Sequence, residues 1–205
     1  MKKQTMLLML ATTLLCVLLM SGCFSNPPAK TTISDILAKA KDIGPVKYDS
    51  ITTSLENGTF TNLTKHIWEE PPYIKLNVTV GQGYSVFIKT PDGVYVNIPG
   101  TNKFSRINFT FPQPSLIEQS NELLTNISFT IVGNETIDGH AATILQYEVS
   151  QTGSSITTKV WIWNDKGIPL ETQITRVLGT RTVFTKIVNT NFVFGIMPLS
   201  EFTVS

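Results

Sequence analysis

"IKLNVTVGQGYSVFIKTPDGVYVNIPG", residues 74–100, is an alternating pattern broken at short intervals. Ile74, Leu76, Val78 and Val80 alternate with Lys75, Asn77 and Thr79. "GQG" at 81–83 interrupts, Tyr84 to Lys89 resumes, "PDG" at 91–93 interrupts again, and Val94 to Ile98 runs into "PGTN" at 99–102. A strand points successive side chains to opposite faces, so a period of two punctuated by Gly, Pro, Asp and Asn reads as antiparallel strands joined by tight turns. One face of such a sheet is buried and the other solvated.

The same signature extends in both directions. Tyr48 to Leu55, Phe60 to Trp68, "RINFTF" at 106–111, "NISFTI" at 126–131, Ala142 to Ser150, Thr157 to Asn164, Leu170 to Leu178 and Thr182 to Phe194 bring the count to about 11 strands. Two segments have helical spacing instead. Thr32 and Asp35 form a capping-box pattern opening "ISDILAKAKDIG", with Ile33, Ile36, Leu37 and Ala40 on one face and Gly44 as the stop. Ser115 and Glu118 repeat the device after Pro114, with Leu116, Ser120, Leu123 and Leu124 on one face. A large one-faced sheet with two short helices to cover it must curl around them, which predicts a mainly β (α+β) fold: a curved antiparallel sheet forming an incomplete barrel, with the helices over its concave face.

The N-terminus sets the compartment. Lys2 and Lys3 precede an uncharged, leucine-rich run from Thr5 to Met20, a signal-peptide arrangement whose apolar run is about the shortest that spans a bilayer. Ser21-Gly22-Cys23 then resembles a lipobox, so residues 1–22 read as a signal peptide, Cys23 as the point of lipid attachment, 23–31 as a proline-containing tether and 32–205 as one domain. An ordinary signal peptide or an uncleaved anchor is the alternative. Cys16 leaves with the signal, and a lipidated Cys23 leaves the domain without a free thiol.

Six Asn-x-Ser/Thr sequons, at Asn57, Asn62, Asn77, Asn108, Asn126 and Asn134, are candidate glycosylation sites. In "IKLNVTV", "RINFTF" and "NISFTI" the alternation places Asn and hydroxyl together on the solvated face. Lipobox and sequons together suggest an archaeal cell surface, at the outer face of the cytoplasmic membrane.

Charge excludes some partners. With 16 basic and 15 acidic residues and no charge blocks, the chain has no nucleic-acid footprint. The two histidines, His66 and His140, have no metal-pair spacing, and no nucleophile elbow or phosphate loop is present. Glu69 and Glu70 are adjacent before two prolines and are expected to point apart rather than form an acid/base pair. The sequence therefore predicts no catalytic residues, no metal and no cofactor.

"IVGNETIDGHAATILQYEV" (131–149) followed by "TTKVWIWNDKGIPLETQI" (157–174) resembles the LolA-like superfamily of outer-membrane lipoprotein-sorting proteins, the lipoprotein carriers and lipid-binding lipoproteins. The residues that carry the resemblance are Gly133, Glu135, Ile137, Asp138 and Gly139, then Tyr147, then Trp161, Asp165, Gly167, Pro169 and Leu170. "WEEPPYIKLNV" and "TPDGVYVNIPGTNKF" add an aromatic-x-x-Pro entrance to a strand and an Asp-Gly turn before a tyrosine strand. The resemblance implies an incomplete barrel whose concave face binds acyl chains, in transport or in sensing, and hence a lipid or lipoprotein ligand beside the membrane itself. An anchored carrier does not diffuse freely between membranes.

An acyl chain of about 14 methylenes costs roughly 11 kcal/mol to expose to water, so its host must offer an apolar groove. The inward residues of the alternating runs are the candidate lining: Ile74, Leu76, Val78 and Val80; Ile107, Phe109 and Phe111; Ile127, Phe129 and Ile131; with Leu116 and Leu123 from the second helix. The same residues equally suit a filled core, in which case the domain acts as a sensor, interaction or structural envelope module. Trp161 and Trp163 share one face of "KVWIWND" and Val160 and Ile162 the other, so that strand is expected to be covered on both sides, with the tryptophans in the core.

Overall fold

A computed structural model describes residues 32–101, 103–111, 113–126 and 128–204. The signal peptide, Cys23, the tether and Ile127 lie outside the described residues. Residues Ile33–Ser205 form one unit.

Eleven strands make a single antiparallel sheet: β1 (Val46–Glu56), β2 (Thr59–Glu70), β3 (Tyr73–Val80), β4 (Gly83–Thr90), β5 (Gly93–Asn97), β6 (Phe104–Ile107), β7 (Thr130–Ile137), β8 (His140–Gln151), β9 (Ser154–Trp163), β10 (Pro169–Leu178) and β11 (Arg181–Phe194). Their spatial order is β6-β5-β4-β3-β2-β1-β11-β10-β9-β8-β7. Two meanders thus run in opposite directions from the centre, where β1 pairs with β11. The sheet does not close. Its edges are β6 and β7, the two strands that follow one another in sequence, so the chain must travel from one edge to the other between them.

That crossing is made by α2 (Leu116–Asn126). The first helix, α1 (Ile33–Leu37), tightens into a 3₁₀ turn over Ala38–Asp42 and ends at Gly44, whose φ of 63° is a left-handed stop. Helices lie against one face of the sheet. On β1 to β3 that face presents Val46 and Tyr48, Ile67, Ile74 and Leu76, all buried in one cluster with Leu116. On β8 and β9 it presents Leu145, Val160 and Ile162, buried with Ile36, Leu37 and Leu123. This incomplete antiparallel barrel with helices on its concave face is the architecture that the LolA-like turn motifs imply.

The structure corrects three expectations. "RINFTF" is a strand only as far as Ile107, so Asn108, Phe109 and Phe111 belong to the crossing segment. "NISFTI" is not a strand: Asn126 ends α2 and β7 begins at Thr130. Both runs alternate because the crossing chain also buries selected apolar side chains, with Phe111 packing on the main core and Phe129 on the cluster beneath α1. The outer face is not uniformly solvated either. A C-terminal strap containing a 3₁₀ turn (Leu199–Phe202) puts Met197 and Phe202 over Ile88, against Trp68, Tyr73 and Phe104. Lys75 ties it down, 2.9 Å from Glu201 and with its ammonium 5.1 Å from the Trp68 ring centre. Strand β9 is covered on both sides as expected, with Val160, Trp161, Ile162 and Trp163 all buried.

One glycine is fixed by close approach. Gly167, with φ of 71°, lies so near the first helix that a Cβ would meet Ile36 O, stand 2.9 Å from Ala40 N and 3.0 Å from Leu37 O. Gly153, at φ of 78°, faces open space. Gly167→Ala is expected to destabilise the domain by about 3 kcal/mol or more, since it adds a backbone clash to the left-handed strain, against about 1 kcal/mol for Gly153→Ala. Urea unfolding of the two variants measures the difference.

Candidate ligand-binding surfaces

The docking of α2 determines what the concave face can hold. Its capping box is complete: the Glu118 N–H donates to Ser115 Oγ at 3.0 Å, and the Ser115 N–H donates to Glu118 Oε2 at 2.7 Å. The first helical N–H, that of Leu116, donates instead to Glu69 on β2, 3.0 Å from Oε2 and 3.2 Å from Oε1. Glu69 also accepts the Tyr48 hydroxyl at 2.8 Å and is 1% exposed. One turn later Ser120 Oγ lies 2.9 Å from both Leu116 O and Gly167 O, tying α2 to the β9–β10 turn.

Burial pushes the Glu69 carboxyl up to about 7, outweighing the opposite effects of the Leu116 N–H and the Tyr48 hydroxyl. Glu118, whose carboxylate is favoured chiefly by the Ser115 N–H, is held below the usual range and meets Lys89 at 3.7 Å.

Around this clamp the concave face is packed. Ile74, Leu76 and Leu116 are 4% exposed or less, and Val78 and Phe111 pack against them. The candidate lining therefore divides: those five fill the core, while Val80, Phe109 and Ile131 are exposed at 53–57%. Ile107 and Phe109 flank a shallow cavity at the β6 edge with Arg106. Leu123 alone faces a groove on the concave side, about 150 Å³, between α2 and strands β8 to β10, with Tyr147, Val160 and Ile174 as its other main apolar walls.

Two further cavities, each larger than that groove, flank the end of β11, and neither was legible in the sequence. One, about 410 Å³, opens on the outer face beside Lys47, Asp49, His66 and Trp68. There His66 Nδ1 lies 2.5 Å from Asp49 Oδ1, while Asn191 Nδ2 donates to Asp49 Oδ2 at 2.7 Å. Partial burial raises the Asp49 pKa, but the hydrogen bonds from Asn191 and His66 prevail and hold it below the usual carboxylate value. The other, about 390 Å³, is walled by Trp163, Phe192, Phe194 and Leu170, with His140 and Asp138 at its margin. His140 is half-buried rather than exposed, its ring stacked 3.9 Å from that of Trp163. Asn191 lines both cavities.

Among the sequon asparagines, Asn57, Asn62, Asn108 and Asn134 are exposed, whereas Asn77 is half-buried and its Oδ1 has neither solvent nor a partner. Glu69 and Glu70 do point apart. Glu69 clamps α2 inside, and Glu70 accepts the Met197 N–H of the outer strap at 3.2 Å.

No protein-family model and no curated protein matches the chain. Solved structures resemble it at low identity. A MucA/MucB complex of Pseudomonas aeruginosa matches at a TM-score of 0.49 and 13% identity, over 84% of this chain and 61% of the matched one. LprF from Mycobacterium bovis matches at 0.45 and 12% identity, over 80% and 94%. A domain described as an outer membrane lipoprotein-sorting protein of Vibrio parahaemolyticus matches at 0.32 and 11% identity, over 83% and 97%. This chain thus spans about three fifths of the MucB-type structure.

The Glu69 clamp makes stability depend on pH in an unusual direction. Its folded-state pKa of about 7 lies above the ordinary 4.5, so the native protein holds a proton that the unfolded chain releases. The stabilisation is complete below pH 4.5 and is lost as pH rises through 7, by roughly 3 kcal/mol at most. Denaturation free energies between pH 4.5 and 8 are expected to fall over that window in the native sequence and to stay level there in Glu69→Gln.

Proposed function

We propose that the chain is a membrane-anchored extracytoplasmic lipoprotein that binds a hydrophobic ligand, a lipid or lipid-linked molecule, on the concave face of its incomplete barrel. The observation that carries this reading is the apolar groove between α2 and β8–β10. At about 150 Å³ it is smaller than the roughly 300–1,000 Å³ of most ligand pockets, so a chain-length ligand must enlarge it. The contacts pinning α2 to the sheet lie in its first half, at Leu116 and Ser120, so the second half, around Leu123 and the exposed Leu124, is the part that yields. Lipid at Cys23 would hold the domain at the outer face of the cytoplasmic membrane, with glycans on Asn57, Asn62, Asn108 and Asn134. No catalytic step belongs to this reading.

A second reading, an interaction or sensor module with a filled core, is favoured by the packed floor at Ile74, Leu76 and Leu116 and by the edge strand β7. Ile131 and Val132 on that strand are 55% and 47% exposed. An open apolar edge accepts an added strand from a partner.

Native mass spectrometry of the full chain, isolated from the envelope of its own cells in mild detergent, separates the two. A stoichiometric lipid, released on denaturation and absent from a folded Leu123→Arg variant, is the expected result. A bare mass after glycan removal contradicts ligand binding and favours the interaction module.

A further inference from the structure

The cavity walled by Trp163, Phe192 and Phe194 has the features of a built site. The sheet is interrupted on both sides of it. A register shift between Lys47 and Asp49 marks the β1–β11 pairing, a second between Pro169 and Glu171 marks β9–β10, and Asn191 stands in the left-handed region at φ of 56°. Such bulges part the strands and re-aim side chains. Several polar side chains at or near the opening have partners. Asn189 Nδ2 donates to Pro169 O at 3.0 Å, Asn191 Nδ2 to Asp49, and the indole N–H of Trp161 to Glu135 Oε2 at 2.7 Å. The indole N–H of Trp163 is the exception. It is buried, on a residue that is 8% exposed, and has no acceptor among the described residues.

We propose that this cavity binds a flat, uncharged aromatic ring bearing a carbonyl oxygen, which stacks among Trp163, Phe192 and Phe194 and accepts the Trp163 Nε1–H hydrogen bond. The walls select a ring. Phe192 and Phe194 lie 6.1 Å apart and nearly parallel, at 7°, and Trp163 stands 5.9 Å from each at 58° and 59°. Rings at these separations already touch one another, so a further ring packs on their cavity-facing surfaces in offset or edge geometry. The indole donates and cannot accept, so the ligand supplies an acceptor. Lys166, its ammonium 4.7 Å from the centre of Phe194, already occupies a cation's place and disfavours a cationic ligand. Asp138 at the margin disfavours an anionic one. The volume, about 390 Å³, falls within the roughly 300–1,000 Å³ usual for small-molecule sites. The indole nitrogen has no exposed surface in the free protein, so a ligand reaches it by displacing His140, whose ring is stacked on Trp163. This site is separate from the concave groove, and its test stands whether or not a lipid occupies that groove.

The full chain, labelled with ¹⁵N in its indole nitrogens, reports directly on the donor. Its three tryptophans give three indole signals, assigned by single Trp→Phe replacements. Menadione is the probe, 2-methylnaphthalene the oxygen-free control of the same shape, and decanoate the chain-shaped control. Menadione is expected to move the Trp163 indole proton saturably downfield, 2-methylnaphthalene to bind without that shift, and decanoate to do neither. Trp163→Phe is expected to weaken menadione about tenfold, the loss of one buried hydrogen bond, and to leave 2-methylnaphthalene unchanged. An unmoved Trp163 signal, equal shifts with both rings, or a signal already at the hydrogen-bonded position without ligand, as a trapped water would give, each overturns the proposal. The wild-type titration decides the matter even if the Trp163 variant does not fold.

Discussion

A carboxylate buried beneath a helix end joins the two halves of this fold. Because β6 and β7 lie at opposite edges of the sheet yet follow one another in the chain, the connection between them must cross the concave face. A crossing helix brings free N–H groups into an apolar interior, where an unpaired donor costs about 1–3 kcal/mol. Glu69 resolves this by accepting the Leu116 N–H from the floor of the sheet, held in place by the Tyr48 hydroxyl. The capping box and Ser120 complete the attachment, so the first turns of α2 are fixed in both position and direction.

The rest of the concave face follows from that attachment. Near Glu69 the helix presses Leu116 onto Ile67, Ile74 and Leu76, and all four are buried. Farther along, no polar contact to the sheet is formed among the described residues; Leu123 packs with Leu145, Val160 and Ile162, and the groove opens beside it. The carboxylate is also an energetic liability. Its desolvation is only partly offset by two hydrogen bonds, so the same group that orients the helix weakens its hold once ionised.

Much of this was legible in the sequence because it is periodic. Strand alternation gave both the number of strands and the turns between them, and Ser115 with Glu118 announced α2. Apolar residues also alternate without pairing at Phe109–Phe111 and around Phe129, where the crossing segment packs Phe111 and Phe129 inward, leaves Phe109 exposed, and so imitates a strand. The reading missed the C-terminal strap, although Val86 and Ile88 in "YSVFIK" mark a second buried face. Glu69 shares the parity of Ile67 and so lies on the inner face, which the pattern shows; that an N–H awaits it there depends on a residue 47 positions away. The Trp163 cavity arises from two bulges and a left-handed Asn191, none of which has a periodic signal.

Hydrogen exchange at the Leu116 amide tests the central claim, that Glu69 docks the crossover helix, most directly. After correction for intrinsic rates, the account predicts strong protection at pH 5 that falls as pH rises to about 7 and levels off above it, and in Glu69→Ala a loss of protection confined to α2 while β1 and β11 remain protected. A Leu116 amide that exchanges as fast as an exposed one at every pH, or protection that ignores the Glu69 substitution, contradicts it.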